Sequence, residues 1–155
     1  MSTKAEEAVA IFKSGFNCSQ AALSVYAAEC GITPEIAHGI AGPFGGGMSM
    51  GSVCGAVTGA FMAIGLKYPR LDPTDAQARE KNVQLVRELA KRFIEKHGSI
   101  ECKCLLGGVD LGTADGARQA REQGLFQTVC PQLVHDAVAI LEDLLAESVS
   151  CSPCK

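Results

Sequence analysis

Ser49-Met50-Gly51-Ser52-Val53-Cys54-Gly55-Ala56-Val57-Thr58-Gly59-Ala60-Phe61-Met62-Ala63-Ile64-Gly65-Leu66-Lys67 is the stretch whose reading decides the fold. It belongs to a longer uncharged run from Gly39 to Leu66, which exceeds the roughly 20 residues that span a bilayer. Gly47, Gly51, Gly55 and Gly59 recur at the four-residue spacing of close-packed membrane helices. Pro43 and the run Gly45-Gly46-Gly47 interrupt the segment, however, and leave a helix too short to span comfortably. No second apolar segment accompanies it, and no aromatic belts flank it. The expectation is a buried helix, from about Ser49 to Lys67, at the centre of a soluble bundle. No membrane span is expected.

Outward from this segment nearly every signal is helical. Lys4 to Ser14 forms a first helix, capped by Ser2 or Thr3 and stopped at Gly15. Asn17, with Gln20 three residues on, opens a second that runs to about Cys30. Thr33-Pro34-Glu35 starts a short third. The longest helix runs from about Thr74 to His97, with Val83, Val86, Ala90, Phe93 and Ile94 on one face. Ser99 opens a short helix through Leu106, and Thr113 opens another to Gln123. Thr128 caps the last, which presents Leu133, Val134, Ala137, Val138, Leu141, Leu144 and Leu145. No alternating stretch supports a strand. The fold class is all-α, a compact multi-helix bundle formed by one domain over residues 1–146, and residues 147–155 read as a flexible tail.

The 155 residues suit a single domain and can bury roughly 70% of the unfolded surface. Net charge is −3 with no basic cluster, and the chain has no Trp and two Tyr. A nucleic-acid platform is not expected. The polar, acidic opening Met1-Ser2-Thr3-Lys4-Ala5-Glu6-Glu7 lacks the basic and apolar regions of a signal peptide, so the expected location is the cytoplasm.

Eight cysteines at this length are unusual. In a reducing compartment such thiols point to metal binding or electron transfer rather than to disulfide staples. Cys18, Cys102 and Cys130 fall at expected helix starts, where free N–H groups and the helix dipole favour a thiolate. Cys54 lies within the Gly-rich helix, where Gly51, Gly55 and Gly59 line one face. Each Gly in a helix interior costs about 1 kcal/mol relative to Ala, so close packing or a cofactor must need that face. Cys102-Lys103-Cys104 is a CxC pair, and Cys151-Ser152-Pro153-Cys154 is a CxxC pair. No zinc-finger or CxxCH pattern occurs, and His38, His97 and His135 are scattered. Gly45-Gly46-Gly47 could cradle an anion, but the P-loop lysine and serine are missing.

Four segments occur in a telling order: Phe16-Asn17-Cys18-Ser19-Gln20, Cys54-Gly55-Ala56-Val57-Thr58-Gly59, Gly98-Ser99-Ile100-Glu101-Cys102 with Leu105-Leu106-Gly107, and Cys130-Pro131-Gln132-Leu133-Val134. Together they resemble the C_GCAxxG_C_C family of redox-active proteins, over about Ala5 to Leu145. The resemblance implies that Cys18, Cys54, Cys102 and Cys130 act together. Related domains sit beside a haem-binding part in split-Soret cytochromes, which look like iron–sulfur carriers. The resemblance therefore tips the expectation toward an iron–sulfur cluster held by the four cysteines. The alternatives are cofactor-free thiol–disulfide chemistry and structural zinc. An unidentified electron donor or acceptor protein is the expected partner, and the exposed part of the Gly-rich helix is a candidate contact for a homodimer.

Overall fold

The computed structural model describes residues 3–150. Helix α1 (Lys4–Lys13) begins at Thr3, whose hydroxyl accepts the Glu6 N–H while Glu6 reaches back to the Thr3 N–H. Helix α2 (Cys18–Ser24) begins at Asn17 with the same reciprocal arrangement toward Gln20. These pairs satisfy donors that a helix start otherwise leaves open. α3 (Pro34–Ala41) is capped by Thr33, α5 (Ala76–His97) by Asp75 and α7 (Ala114–Glu122) by Thr113. The remaining helices are α4 (Gly55–Lys67), α6 (Cys102–Leu105), α8 (Leu125–Thr128) and α9 (Cys130–Ser150).

Several expected boundaries move. The second helix ends at Ser24 rather than near Cys30, because the Tyr26 and Ala27 N–H groups turn back to Leu23 and Ser24 and tighten the chain. The central helix starts at Gly55 rather than Ser49. Residues 46–49 form a left-handed turn instead, and the next segment pairs elsewhere: Cys54 N–H donates to the Ile100 carbonyl at 2.7 Å, and Cys102 N–H to the Ser52 carbonyl at 2.6 Å. The single bridge between Val53 and Glu101 is the only extended pairing among the described residues. Thr128 ends α8, with its hydroxyl bonded to the Gly124 carbonyl, so it is no cap for α9. Ser99 accepts the Glu101 N–H, and α6 begins after Glu101. α9 continues through residues 147–150. Cys151 and Cys154 lie outside the described residues.

α4 sits at the centre, packed by α2, α5 and α9, while α1 lies along α9. Its buried residues include Gly55, Ala56, Val57, Gly59, Ala60, Ala63 and Ile64, as expected of a helix apolar on all sides. Leu23, Tyr26, Leu89, Phe93, Val134, Val138 and Leu141 complete the core. On α5 the inward stripe is Leu85, Leu89 and Phe93, one step from the expected face, and Ile94 is exposed. On α9, Leu133, Val134, Ala137, Val138, Leu141 and Leu144 are buried as expected. A smaller cluster of Cys102, Leu106, Val109 and Ala120 joins α6, α7 and α8 to the start of α9. Among the described residues no helix is long and apolar enough to cross a membrane.

Candidate functional site

The backbone pairing that displaces the start of α4 also builds the site. It ties the Ser52–Cys54 strand of chain to residues 100–102, so Cys54 and Cys102 emerge side by side at the starts of α4 and α6. Cys18 occupies the first position of α2 and Cys130 that of α9. Cys54 precedes the first residue of α4, so it too stands at a helix start rather than inside one.

All four thiols line one cavity of about 280 Å³. Phe12, Phe16, Leu106, Leu111, Phe126 and Leu133 form most of its remaining wall, with Asn17 and Gly46 at the Cys18 end. No charged side chain is among the described residues that line it. Phe16, 39% exposed, stands at the rim, its ring stacked on His38 at 3.8 Å between centroids.

The four thiols are electrostatically unequal. Cys54 hydrogen-bonds to the Cys18 sulfur, and this contact outweighs the cost of burial. With help from the Gly46 and Ser19 backbone N–H groups, the Cys18 thiol falls from 9.0 to about 7. The same hydrogen bond and complete burial hold Cys54 well above the usual thiol range. Burial, reinforced by the nearby Cys18 and Asp110, pushes Cys102 up to about 11. Burial, with Cys18 and Cys102 nearby, pushes Cys130 up to about 12. One sulfur is thus ready to ionise, and it is bonded to a second that stays protonated.

The glycines explain how the sulfurs come so close. A Cβ on Gly55 would lie 2.5 Å from the Cys18 sulfur, and one on Gly59 would lie 2.6 Å from the Ser19 carbonyl oxygen. These two residues let α2 lie directly against α4. Gly51 does not share that face. It lies outside the helix with φ of 70° and packs on Asp110. None of the three is among the residues that line the cavity; Gly55 and Gly59 provide the close backbone approach. Because α2 covers the Gly55 and Gly59 face, that face is not free for a second copy of the chain.

A match over residues 16–144 links the chain to the family described as "Putative redox-active protein (C_GCAxxG_C_C)". The chain belongs to this family. No curated protein and no solved structure matches it. In this C_GCAxxG_C_C protein the CGAxxG segment does two things at once: its cysteine reaches the cavity, and its two glycines admit the helix that carries Cys18.

The other cysteines stand apart from the cavity. Cys30 is half-buried beside Glu29, Lys4 and Lys67. Cys104 is exposed, its thiol 3.5 Å from a Glu101 carboxylate oxygen. Gly46 and the aromatic wall were not expected from the sequence. The Gly45-Gly46-Gly47 run was the available signal, though it pointed toward an external anion rather than a sulfur. Among the described residues no three His, Cys, Asp or Glu side chains stand where they could hold one metal ion.

Proposed function

We propose that the cavity is a four-cysteine redox centre that holds an iron–sulfur cluster and exchanges electrons with a partner protein. The observation that carries this reading is the convergence of four thiols, from four separate helix starts, on one apolar cavity. Four cysteine donors are the usual complement of such a cluster. A cavity of about 280 Å³ lined by all four cysteines has room for a group of several atoms. Cys18, Cys54, Cys102 and Cys130 would hold the cluster, which supplies a one-electron couple when bound. Cys18 ionises first, because Cys54 and the Gly46 and Ser19 N–H groups already stabilise its negative sulfur. The hydrogen bond to Cys18 and burial keep Cys54 protonated in the free protein, and burial keeps Cys102 and Cys130 protonated, so these three would lose their protons as the metal binds. Phe12, Phe16 and Phe126 give the sulfurs an apolar surround, with Cys54 and Cys102 buried and Cys18 and Cys130 half-buried.

Anaerobic reconstitution with iron and sulfide tests this reading. Bound iron and inorganic sulfide, a visible absorption band and an EPR signal on reduction are expected. Serine at any of Cys18, Cys54, Cys102 or Cys130 should diminish them, whereas Cys30→Ser and Cys104→Ser should not. A colourless product with no bound iron refutes it.

One observation favours a second reading. Cys18 and Cys54 line the same cavity and shift each other's ionisation in opposite directions, which suits a dithiol that closes to a disulfide. Closure would form the Sγ–Sγ bond and release two protons and two electrons to an oxidised thiol-reactive partner. Mass-spectrometric mapping after mild oxidation should then find a reversible Cys18–Cys54 bridge, and its absence rejects this reading.

A further inference from the structure

Residues Gly46, Gly47, Met48 and Ser49 have φ of 64°, 64°, 60° and 57°. L-residues visit this left-handed region singly, and runs are avoided because Cβ crowds the following carbonyl. Two of these four carry side chains, so their surroundings must impose the turn. The Ser52 N–H closes it on the Gly47 carbonyl at 2.9 Å. On one side, a Cβ at Gly45 would lie 2.5 Å from Asn17 Cγ, beside Cys18. On the other, a Cβ at Gly47 would lie 2.8 Å from Cys102 Cβ. The turn is therefore wedged between the segments that carry two of the four sulfurs. Of its residues, Gly46 lines the cavity together with Cys18, and its backbone N–H is one of the groups that lower the Cys18 thiol.

We infer that the left-handed turn of residues 46–49 is a positioning element of the redox centre: it fixes the Gly46 N–H on the Cys18 sulfur and thereby raises the reduction potential of the couple to which Cys18 belongs. The second half of this statement rests on the proposed function. An N–H···S bond favours the more negative, reduced state at that sulfur, and such bonds are among the determinants of cluster potentials. The sign is the same for a dithiol couple, where the N–H favours the thiolate over the disulfide sulfur.

The test has two arms. In the reduced, metal-free protein, amide hydrogen exchange and the NMR shift of the Gly46 N–H are compared with those in Cys18→Ala. The bond predicts protection and a shifted resonance that are both lost in the variant; an unchanged Gly46 signal overturns the assignment. In the second arm, midpoint potentials are measured for wild type, Gly46→Ala and Gly124→Ala. Gly124 has a similar φ of 67°, meets only Gln127 Oε1 at 3.8 Å and does not line the cavity. It therefore carries comparable backbone strain without touching a sulfur. Gly46→Ala should shift the couple about tenfold toward oxidation, about 59 mV lower for a one-electron couple, while Gly124→Ala leaves it in place. Equal potentials in the two variants overturn the claim that the turn tunes the couple. A protected Gly46 N–H in a protein with neither cluster nor disulfide couple refutes the proposed function and leaves the positioning role intact.

Discussion

Two glycines of α4 should respond to the same substitution with opposite signs. At Gly55 an added methyl would lie 2.5 Å from the Cys18 sulfur, 2.9 Å from the Phe44 carbonyl oxygen and 3.1 Å from the Ser19 nitrogen. Two of these neighbours are backbone atoms in capped or hydrogen-bonded turns, so they cannot swing aside as a flexible side chain would. Overpacking of this kind costs about 1–3 kcal/mol, and three hard contacts place Gly55→Ala in the upper half of that range. At Gly65, on the same helix, an added methyl meets nothing within 4 Å. There only the helix preference for Ala over Gly remains, which stabilises by about 0.5–1 kcal/mol. The two variants should thus differ by about 3 kcal/mol. For a chain of this size each kcal/mol moves the midpoint by about 2–4 °C, so the melting temperatures should separate by about 6–12 °C. Thermal melts followed by circular dichroism, with urea titrations to check that the slope m is unchanged, measure this directly. If Gly55→Ala melts at or above wild type, the close approach of α2 to α4 is wrong, and with it the seat of Cys18 against Cys54.

In the reduced, metal-free protein, alkylation by iodoacetamide should reach half its maximal rate at Cys18 near pH 7, while Cys102 and Cys130 stay slow below about pH 11; residue-resolved mass spectrometry across pH reads this, and equal rates at all three would refute it. Cys54→Ala removes the principal hydrogen bond to that sulfur and should move the Cys18 midpoint upward. Cys102 and Cys130 have folded pKa values above the ordinary 9.0, so their contribution to stability is complete below pH 9 and fades as pH rises through about 11 to 12; unfolding titrations at alkaline pH should show that loss, reduced in Cys130→Ala. Asp136, 1% exposed, takes hydrogen bonds or ion pairs from Lys96, His97, Gln132 and His135 and so joins the end of α5 to α9. Asp136→Ala should cost about 2–3 kcal/mol because charged hydrogen bonds are lost inside the protein, whereas Lys96→Ala, removing a half-exposed partner, should cost under about 1 kcal/mol; equal losses in denaturant titrations would show that the carboxylate is not the clamp.

Local chemistry made much of the helical framework legible. Thr3, Asn17, Thr33 and Thr113 each carry a side chain that accepts an N–H at its own helix start, and Gly31 and Gly98 end helices through left-handed conformations. These are interactions within a few residues, and residue type alone specifies them. Thr128 and Ser99 look the same locally, yet they do not cap the helices expected of them. The chain around Ser99 is committed to the Ser52–Cys54 pairing, and Thr128 already closes α8. The buried stripe of α9 was readable because a single broad apolar face leaves no competing choice. On α5 two apolar stripes lie next to each other, and only the neighbours decide that Leu85, Leu89 and Phe93 turn inward.

The site itself depends on contacts that no local rule encodes. Nothing in Met48 or Ser49 calls for a left-handed backbone; the Asn17 and Cys102 segments on either side, and Asp110 against Gly51, hold the turn in place. An apolar stretch free of charge reads as continuous helix, yet residues 52–54 give their backbone hydrogen bonds to residues 100–102. That exchange is what moves Cys54 from a helix interior to a helix start. Family resemblance could identify the four cysteines, but only tertiary structure could join them. Gly55 shows the difference most clearly. Locally it is a residue that weakens a helix by about 1 kcal/mol. In the fold an added methyl there would lie 2.5 Å from the Cys18 sulfur, so what looks like a local defect is what lets Cys18 sit against the start of α4 and share a cavity with Cys54.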